Sequence, residues 1–479
     1  MSYKPAWIAI GIAVFAGMHL LGAPSGLGTD AWSVAALAAL MLIWWVTEAV
    51  PIPITSLLPL VVLPLSNVMS FAEAAPPYAS PIVLLLMGGF IIAKSVETWN
   101  LHSRIALGVV ARAGNSPAAL VGGFMLAAAL LSMWISNTAT SIMLMPIALS
   151  VAARLAGKGE DAGPITLALL LGVAWACSIG GIGTPIGTPT NLIVMGYLEN
   201  EFGRSIGFGE WMRFGLPVVA LLLPLAWFVL TKISFRHVGT AHAPPQAVIA
   251  EARAALGRIT RPERRVAYSF AVIALLWSFR RPLNALEIGD VQPLAGMTDH
   301  LIAIAGAILF FIVPAGVKER RALLTWDEAR DIPWGVLLLF GGGLSLASAI
   351  TASGLGFWLG GQLAALNALP LLALIAAMVT FVIFATEVTS NVATASALMP
   401  VIGAVAAAGG NDPLYLALPV AAAASSAFML PMATGPNAIA FATGRVTIAQ
   451  MARAGIALNL AAIAAISLLS AWLLPRLLS

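Results

Sequence analysis

Long apolar runs, separated by short polar or proline-rich stretches, cover almost the whole chain and predict membrane-spanning helices throughout. The first runs from about Pro5 to Leu21, and a Gly/Pro/Ser loop with Asp30 follows. A second covers about Ala31 to Val50 and stops at Pro51-Ile52-Pro53, where two prolines cannot continue a helix. The next reaches about Leu65; Pro76-Pro77 and Pro81 then lead into a run ending near Asn100. Between Pro117 and Ala156, Ser136-Asn137-Thr138 sits mid-way along an apolar segment. Two halves of roughly 15 residues around a polar tip predict a re-entrant hairpin. The run from Ile165 to Tyr197 is interrupted between Gly180 and Asn191, where Gly and Pro are dense enough to break a helix in two. A span from about Trp211 to Leu230 completes this half.

The pattern then starts again. Lys232 to Arg265 is the longest polar section, with Lys232, Arg236, Arg253, Arg258, Arg261, Arg264 and Arg265. It reads as a basic linker lying against anionic lipid headgroups. Spans follow near Val266–Phe279, His300–Val313 and Trp334–Ser353, then a hairpin from about Leu366 to Ala408 carrying Ser390-Asn391-Val392. A broken helix from about Pro413 to Thr443 contains Pro431 to Asn437, and a last span ends near Leu474. Three landmarks recur in one order. Ser136-Asn137 and Ser390-Asn391 lie 254 residues apart; Leu84-Leu85-Leu86-Met87-Gly88-Gly89 answers Leu337-Leu338-Leu339-Phe340-Gly341-Gly342; Thr188-Pro189-Thr190-Asn191 answers Thr434-Gly435-Pro436-Asn437. The expected division is an N-terminal span and loop (1–30), a first repeat (31–231; hairpin 117–156, broken helix 165–197), a linker (232–265) and a second repeat (266–479; hairpin 366–408, broken helix 413–443).

Composition agrees with a polytopic all-α membrane protein: of 479 residues 60% are hydrophobic and 9% charged, and the mean hydropathy is +0.96. The net charge of +4 is explained by loop position and not by nucleic acid. Cys177, the single cysteine, excludes an internal disulfide and a thiolate metal cluster, and five scattered His form no ligand pattern. The N-terminal run, with Lys4 and no small-residue cleavage site, reads as a retained span. With a cytoplasmic N-terminus, eleven spans and two hairpins place Arg104, Arg112, Arg154, Lys158, the linker, Lys318, Arg320, Arg321, Arg330, Arg445 and Arg453 inside. Only Arg204, Arg213, Arg280, Arg281 and Arg476 stay outside, as does the C-terminus. Each repeat then holds an odd number of spans, so the second inserts upside down.

The polar motifs suit ion transport. Ser-Asn-Thr at a hairpin tip offers hydroxyl and amide groups without formal charge, and half-helix N-termini add fixed positive partial charge for an anion. Carbonyls of the broken segments, with Ser, Thr and Asn oxygens, are hard ligands suited to Na⁺. Two such clusters match a substrate with two carboxylates or one tetrahedral oxyanion. The competing reading is that small residues merely let helices pack closely. Glu387, three residues before Ser390, is either a proton carrier or a hydrogen-bonded structural carboxylate. Glu48 and the Lys94/Glu97 pair read as snorkelling or locally paired charges near span ends, and Trp44-Trp45 as an interfacial anchor. Gly181-Ile182-Gly183 lacks the βαβ context of a dinucleotide fingerprint. No Gly-x-Ser-Gly with a partner His, Asp pair or His-Glu-x-x-His lies in a span, so an intramembrane hydrolase, and an enzyme generally, is disfavoured.

These paired motifs, with Trp44-Trp45-Val46-Thr47-Glu48-Ala49-Val50-Pro51-Ile52-Pro53, resemble the divalent anion:Na⁺ symporter family, which includes INDY-type and solute carrier 13 dicarboxylate transporters. The resemblance covers about residues 30 to 470. It implies a homodimer with scaffold and elevator-type transport domains in the cytoplasmic membrane, and Na⁺-coupled uptake of C4-dicarboxylates. It places substrate at Ser136, Asn137, Thr138, Ser390, Asn391 and Val392, and more weakly at Thr188, Thr190 and Thr434. One Na⁺ site would use Ser132, Ser136, Asn137 and carbonyls from Gly183 to Gly187; the other Thr386, Thr389, Asn391 and the Ala433 carbonyl. Val392 departs from the usual threonine, and losing that donor should cost about 1 kcal/mol of grip on one carboxylate. A Na⁺-independent exchanger, or a carrier of sulfate or another oxyanion, is the alternative.

Overall fold

In lipid every backbone N–H and C=O must be satisfied within the chain, so long apolar runs fold as helices. The computed structural model describes residues 4–114, 116–156, 163–235, 246–287, 290–316, 319–362 and 369–478. An isolated β-bridge joins Pro314 and Ala322, and no β-strand occurs among the described residues. Eight helices among the described residues are long and apolar enough to cross a membrane. Lys158, Arg236 and Lys318, expected in cytoplasmic loops, lie outside the described residues.

The same order of elements occurs twice. In the first half, helix Pro81–Thr98 and a short helix Leu101–Val110 lead to a hairpin of Pro117–Ser132 and Asn137–Ala156. A broken helix, Pro164–Gly181 and Pro189–Phe202, follows, then Phe208–Phe228, which winds on as a π-helical turn to Ser234. In the second half the matching elements are Trp334–Ala352, Leu355–Gln362, the hairpin Leu371–Val388 and Asn391–Ala408, the broken helix Leu414–Ala424 and Gly435–Ala442, and Ile448–Leu478. Proline opens several of these helices, including those at Pro81, Pro117, Pro164 and Pro189. Its missing N–H costs nothing there.

Helix Pro164–Gly181 is the centre of the first half. It is apolar all round and buried from Ile165 to Gly181, the mark of a helix enclosed by protein. It packs on both arms of the first hairpin, on Phe208–Phe228 and on Gly435–Ala442 of the other half. A Cβ at Gly180 would fall on the Ala129 carbonyl, so the hairpin and this helix touch backbone to backbone. The halves also meet at the start of Phe208–Phe228. Asp299 Oδ2 accepts the Phe208 N–H at 2.8 Å, Arg280 Nε stands 2.7 Å from Asp299 Oδ1, and Phe208 stacks on Trp277 with centroids 4.7 Å apart.

Several expectations are corrected. The run ending at Leu65 is two short helices, Ile52–Thr55 and Leu58–Leu65, because the Pro51, Pro53 and Pro59 cluster restarts the chain. Within the linker, Gln246–Ala255 is helical and packs on Leu101–Val110. The next helix starts at Arg261, five residues before the expected Val266, because Thr260 and Glu263 form a reciprocal capping box. Arg104 anchors this region through Glu263, at 3.1 Å, and the Leu256 and Gly257 carbonyls. Trp45 is no interfacial anchor: it is 1% exposed and donates its indole N–H to Ser56 Oγ at 3.2 Å. Lys94 and Glu97 lie 4.0 Å apart, a local pair.

The backbone contact at Gly180 predicts that Gly180→Ala separates the hairpin from the central helix. Overpacking of this kind costs about 1–3 kcal/mol. A thermal unfolding midpoint equal to that of the parent protein in detergent would contradict this packing account.

Candidate functional site

Each hairpin turn is fixed by one short hydrogen bond from its first arm to the asparagine that starts its second. Ser132 Oγ donates to Asn137 Oδ1 at 2.5 Å, and Thr386 Oγ1 donates to Asn391 Oδ1 at 2.7 Å. Ser136 caps the helix it precedes by accepting the Ala139 N–H at 3.2 Å, leaving the other N–H groups of that first turn without intrahelical partners.

The helix interruptions are held as firmly. Asn191 Nδ2 donates to the Gly181 and Thr184 carbonyls at 2.9 and 2.8 Å; Asn437 Nδ2 donates to the Ala427 and Leu430 carbonyls, both at 3.1 Å. In the first copy Trp211 Nε1 donates to the Ile182 carbonyl at 2.8 Å, and the Thr184 hydroxyl to that of Met133. In the second copy a carboxylate does this work. Glu387 Oε1 accepts Phe428 N–H at 2.7 Å, Met429 N–H at 2.9 Å and Asn459 Nδ2 at 2.8 Å, while Oε2 accepts Met429 and Leu430 N–H, each at 3.0 Å. The geometry carries the structural reading of Glu387.

Tips and interruptions converge on one cavity of about 390 Å³. Ser136, Asn137 and Thr138 line it from one hairpin; Ser390, Asn391 and Val392 from the other; Gly187 and Thr188 from the first interruption; Ala433 and Thr434 from the second. Four helices, starting at Asn137, Asn391, Pro189 and Gly435, begin at its wall. Their N-termini supply positive partial charge, and among the described residues no Lys, Arg, His, Asp or Glu lines the space. The remaining wall includes Gly89, Phe90, Ala93, Trp134, Ile186, Pro333, Val336 and Pro436.

Other expected residues stand behind this surface. Thr190 does not reach the cavity: it is fully buried, with its hydroxyl 2.7 Å from Ser425 Oγ and 3.3 Å from Thr188 Oγ1. Ser132, Gly183 and Thr386 are buried beneath the tips. Thr389 donates to the Ala385 carbonyl at 2.8 Å and lies 2.5 Å from Thr394 Oγ1. Hydroxyl, amide and carbonyl oxygens thus cluster under each tip, a donor set suited to a hard monovalent cation. Among the described residues no three His, Cys, Asp or Glu gather as a metal site. Sequence reasoning missed the apolar wall. Gly89 was marked only as a repeat landmark, and nothing local distinguished Phe90, Trp134 or Val336.

The profile described as the sodium:sulfate symporter transmembrane region matches residues 4–478. The chain belongs to this family. The sodium-dependent dicarboxylate transporter SdcS of Staphylococcus saprophyticus is 38% identical over 478 residues, covering 98% of this chain and 91% of the relative. SdcS of Staphylococcus aureus strain NCTC 8325 is 39% identical over 442 residues, covering 91% and 84%. Two solved structures share the fold. The Alcanivorax borkumensis YdaH transporter has a TM-score of 0.57 at 16% identity, covering 97% of this chain and 96% of its own. Neisseria gonorrhoeae MtrF has a TM-score of 0.60 at 15% identity, covering 95% and 97%.

In this member of the sodium:sulfate symporter family the two tips are not equivalent. Val392 presents methyl groups where the first tip presents the Thr138 hydroxyl. Thr138 is itself packed against the second interruption, since a Cβ on Gly435 would fall on its hydroxyl. Glu387→Ala would leave three consecutive N–H groups and the Asn459 amide unpaired beside the second tip. At about 1–3 kcal/mol for each orphaned group, we expect a loss of more than about 3 kcal/mol. A monodisperse, equally thermostable Glu387→Ala protein on size-exclusion chromatography would refute the structural role.

Proposed function

We propose that the protein couples Na⁺ to the uptake of C4-dicarboxylates such as succinate, malate and fumarate across the cytoplasmic membrane. The carrying observation is the single cavity walled by both Ser-Asn tips and both interruptions, in a chain similar along nearly its whole length to sodium-dependent dicarboxylate transporters. The carboxylates would contact Ser136, Asn137 and Thr138 at one tip and Ser390 and Asn391 at the other. Two Na⁺ would sit among the oxygens beneath them.

Magnitudes explain why cations are needed. Taking a carboxylate out of water costs several kcal/mol, and a helix terminus returns about 0.3–2 kcal/mol. Four termini leave a deficit for two carboxylates, and bound Na⁺ would offset it. Among the described residues the site has no cationic side chain, so it can return empty without carrying one.

Alternating access would follow from the duplication, with the second repeat inverted and the transport unit moving as an elevator in a homodimer. One asymmetry supports this. The first copy lines the cavity with Gly89, Phe90 and Ala93, whose partners in the matched Leu-Leu-Leu-x-Gly-Gly helix are Gly342, Gly343 and Leu346. Pro333 and Val336 line it instead, about nine residues earlier, or roughly 14 Å of helix. Pro333 and Val336 stand at the helix end nearest Arg330, and Ala93 lies on the Arg104 side of the midpoint of Pro81–Thr98, in both cases toward the cytoplasm under the positive-inside assignment. The cavity is therefore read as facing the cytoplasm, with the N-terminus inside and the C-terminus outside.

Val392 favours a second reading, a carrier of sulfate or another oxyanion, because one wall has lost a donor. Proteoliposome uptake separates these. We expect radiolabelled succinate uptake to require an inward Na⁺ gradient but no internal substrate, and Asn137→Ala or Asn391→Ala to lower it at least tenfold. Val392→Thr should tighten succinate half-saturation about fivefold, equivalent to about 1 kcal/mol. Uptake that ignores Na⁺ but needs internal succinate would leave an exchanger, and sulfate uptake alone would favour the second reading. For orientation, Phe90→Cys in a Cys177→Ser background should react with an impermeant maleimide from the cytoplasmic face; labelling only from outside would reverse the assignment.

A further inference from the structure

The two interruptions share a device that no tip residue provides. Asn191 and Asn437 occupy the same place, third in the second half of each broken helix after Thr188 and Thr434. Both are 0% exposed. Each reaches back ten and seven residues with the two hydrogens of one amide, to Gly181 and Thr184 or to Ala427 and Leu430. Gly181 ends its half-helix and the other three carbonyls follow a half-helix end, where the regular i+4 partner is lost; Thr184 and Leu430 each also accept one turn N–H, from Gly187 and Ala433, at 3.3 Å. A primary amide can donate to two acceptors at once, a hydroxyl to one and a carboxylate to none. Neither Oδ1 has a hydrogen-bond partner among the described residues, so each amide is fixed through its Nδ2, which in Asn191 also lies 3.5 Å from the Ile182 carbonyl.

We propose that Asn191 and Asn437 are positioning residues for the cation side of transport: each sets the carbonyls of its unwound segment and so shapes the oxygen cage under one hairpin tip. The inference rests on the Na⁺-coupled reading above. The clamped backbone stands directly against the tips. A Cβ on Gly181 would lie 2.8 Å from Asn137 Oδ1 and 3.2 Å from the Gly187 carbonyl, so Asn191 holds the very segment that backs Asn137. In the second copy Leu430 is gripped from both sides, its carbonyl by Asn437 and its N–H by Glu387, three residues before Ser390. Releasing a clamp removes the side-chain donor from two carbonyls, of which Thr184 or Leu430 keeps only its 3.3 Å turn bond. A small cation loses ligand geometry, while the tip side chains facing the cavity keep theirs.

The test uses the full chain carrying Asn191→Ala or Asn437→Ala. In detergent, without dicarboxylate, Na⁺ should raise the unfolding midpoint of the parent protein, and this rise should shrink or vanish in each variant. In liposomes, half-saturating Na⁺ should increase tenfold or more, the usual scale for losing a group that orients metal ligands, about 10–100-fold. Half-saturating succinate at saturating Na⁺ should stay within twofold. If either alanine variant fails to fold, Asn191→Ser and Asn437→Ser, which keep one donor, take its place and should show a smaller shift in the same direction. An unchanged Na⁺ response in folded variants, or equal losses for Na⁺ and succinate, overturns the inference and leaves the Na⁺-coupled reading standing. A parent protein with no Na⁺ response in either assay overturns both.

Discussion

Surrounded by lipid, a helix cannot be interrupted without supplying new partners for the backbone groups it releases. This chain interrupts two helices, around Ile182–Thr188 and Ser425–Thr434, and the rest of the arrangement answers that requirement. Asn191 and Asn437 take carbonyls, Glu387 takes N–H groups, and Trp211 and Thr184 close what remains in the first copy. The hairpins are part of the same solution, since their tips wall off the unwound backbone and share the resulting cavity.

The same order of elements in the two halves meets the requirement twice, but with different chemistry. The hydroxyl-to-asparagine bonds and the amide clamps are retained in both copies at matching positions. The brace is not: a carboxylate gathers three N–H groups in the second copy, where the first copy has Met133, whose carbonyl accepts from Thr184. The geometry of the interruption is therefore the common element, and the groups that support it are free to diverge.

That distinction explains what could be read in the sequence. Membrane spans follow from apolar length, and the polar interruptions follow from Gly, Pro, Ser and Asn in runs that are otherwise lipid-compatible, so the helical class and the converging motifs were legible. Short helices were not: Leu101–Val110 and Leu355–Gln362, which lead into the hairpins, are below the length at which apolar periodicity speaks. The capping box at Thr260 and Glu263 was a local signal overlooked in a charged stretch. Trp45 looked interfacial because its neighbours are apolar, and only the fold brings Ser56 to its indole. Thr190 carried the motif yet points to Ser425, 235 residues away, a pairing no local pattern contains. The apolar wall of Phe90, Trp134 and Val336 depends on how the two halves lie against each other, which is a property of the conformation as much as of the sequence.

Among the described residues no ionisable side chain lines the cavity wall, and this bears on how such a site would cycle. A lysine or arginine facing the substrate would bind a dianion tightly, but it would have to cross the low-dielectric interior unpaired when the site returned empty, a cost of several kcal/mol. Helix termini and amide groups carry no net charge, so the empty site has no such penalty. The same neutrality makes them too weak for a dianion alone. Selectivity for the loaded or the empty state over a partly loaded one is then built into the electrostatics. Anion without cation is under-compensated, and cations without anion leave net positive charge in the site. Only the combination would approach balance, and under the proposed Na⁺ coupling the placement of a few backbone carbonyls would then matter more than any charged residue.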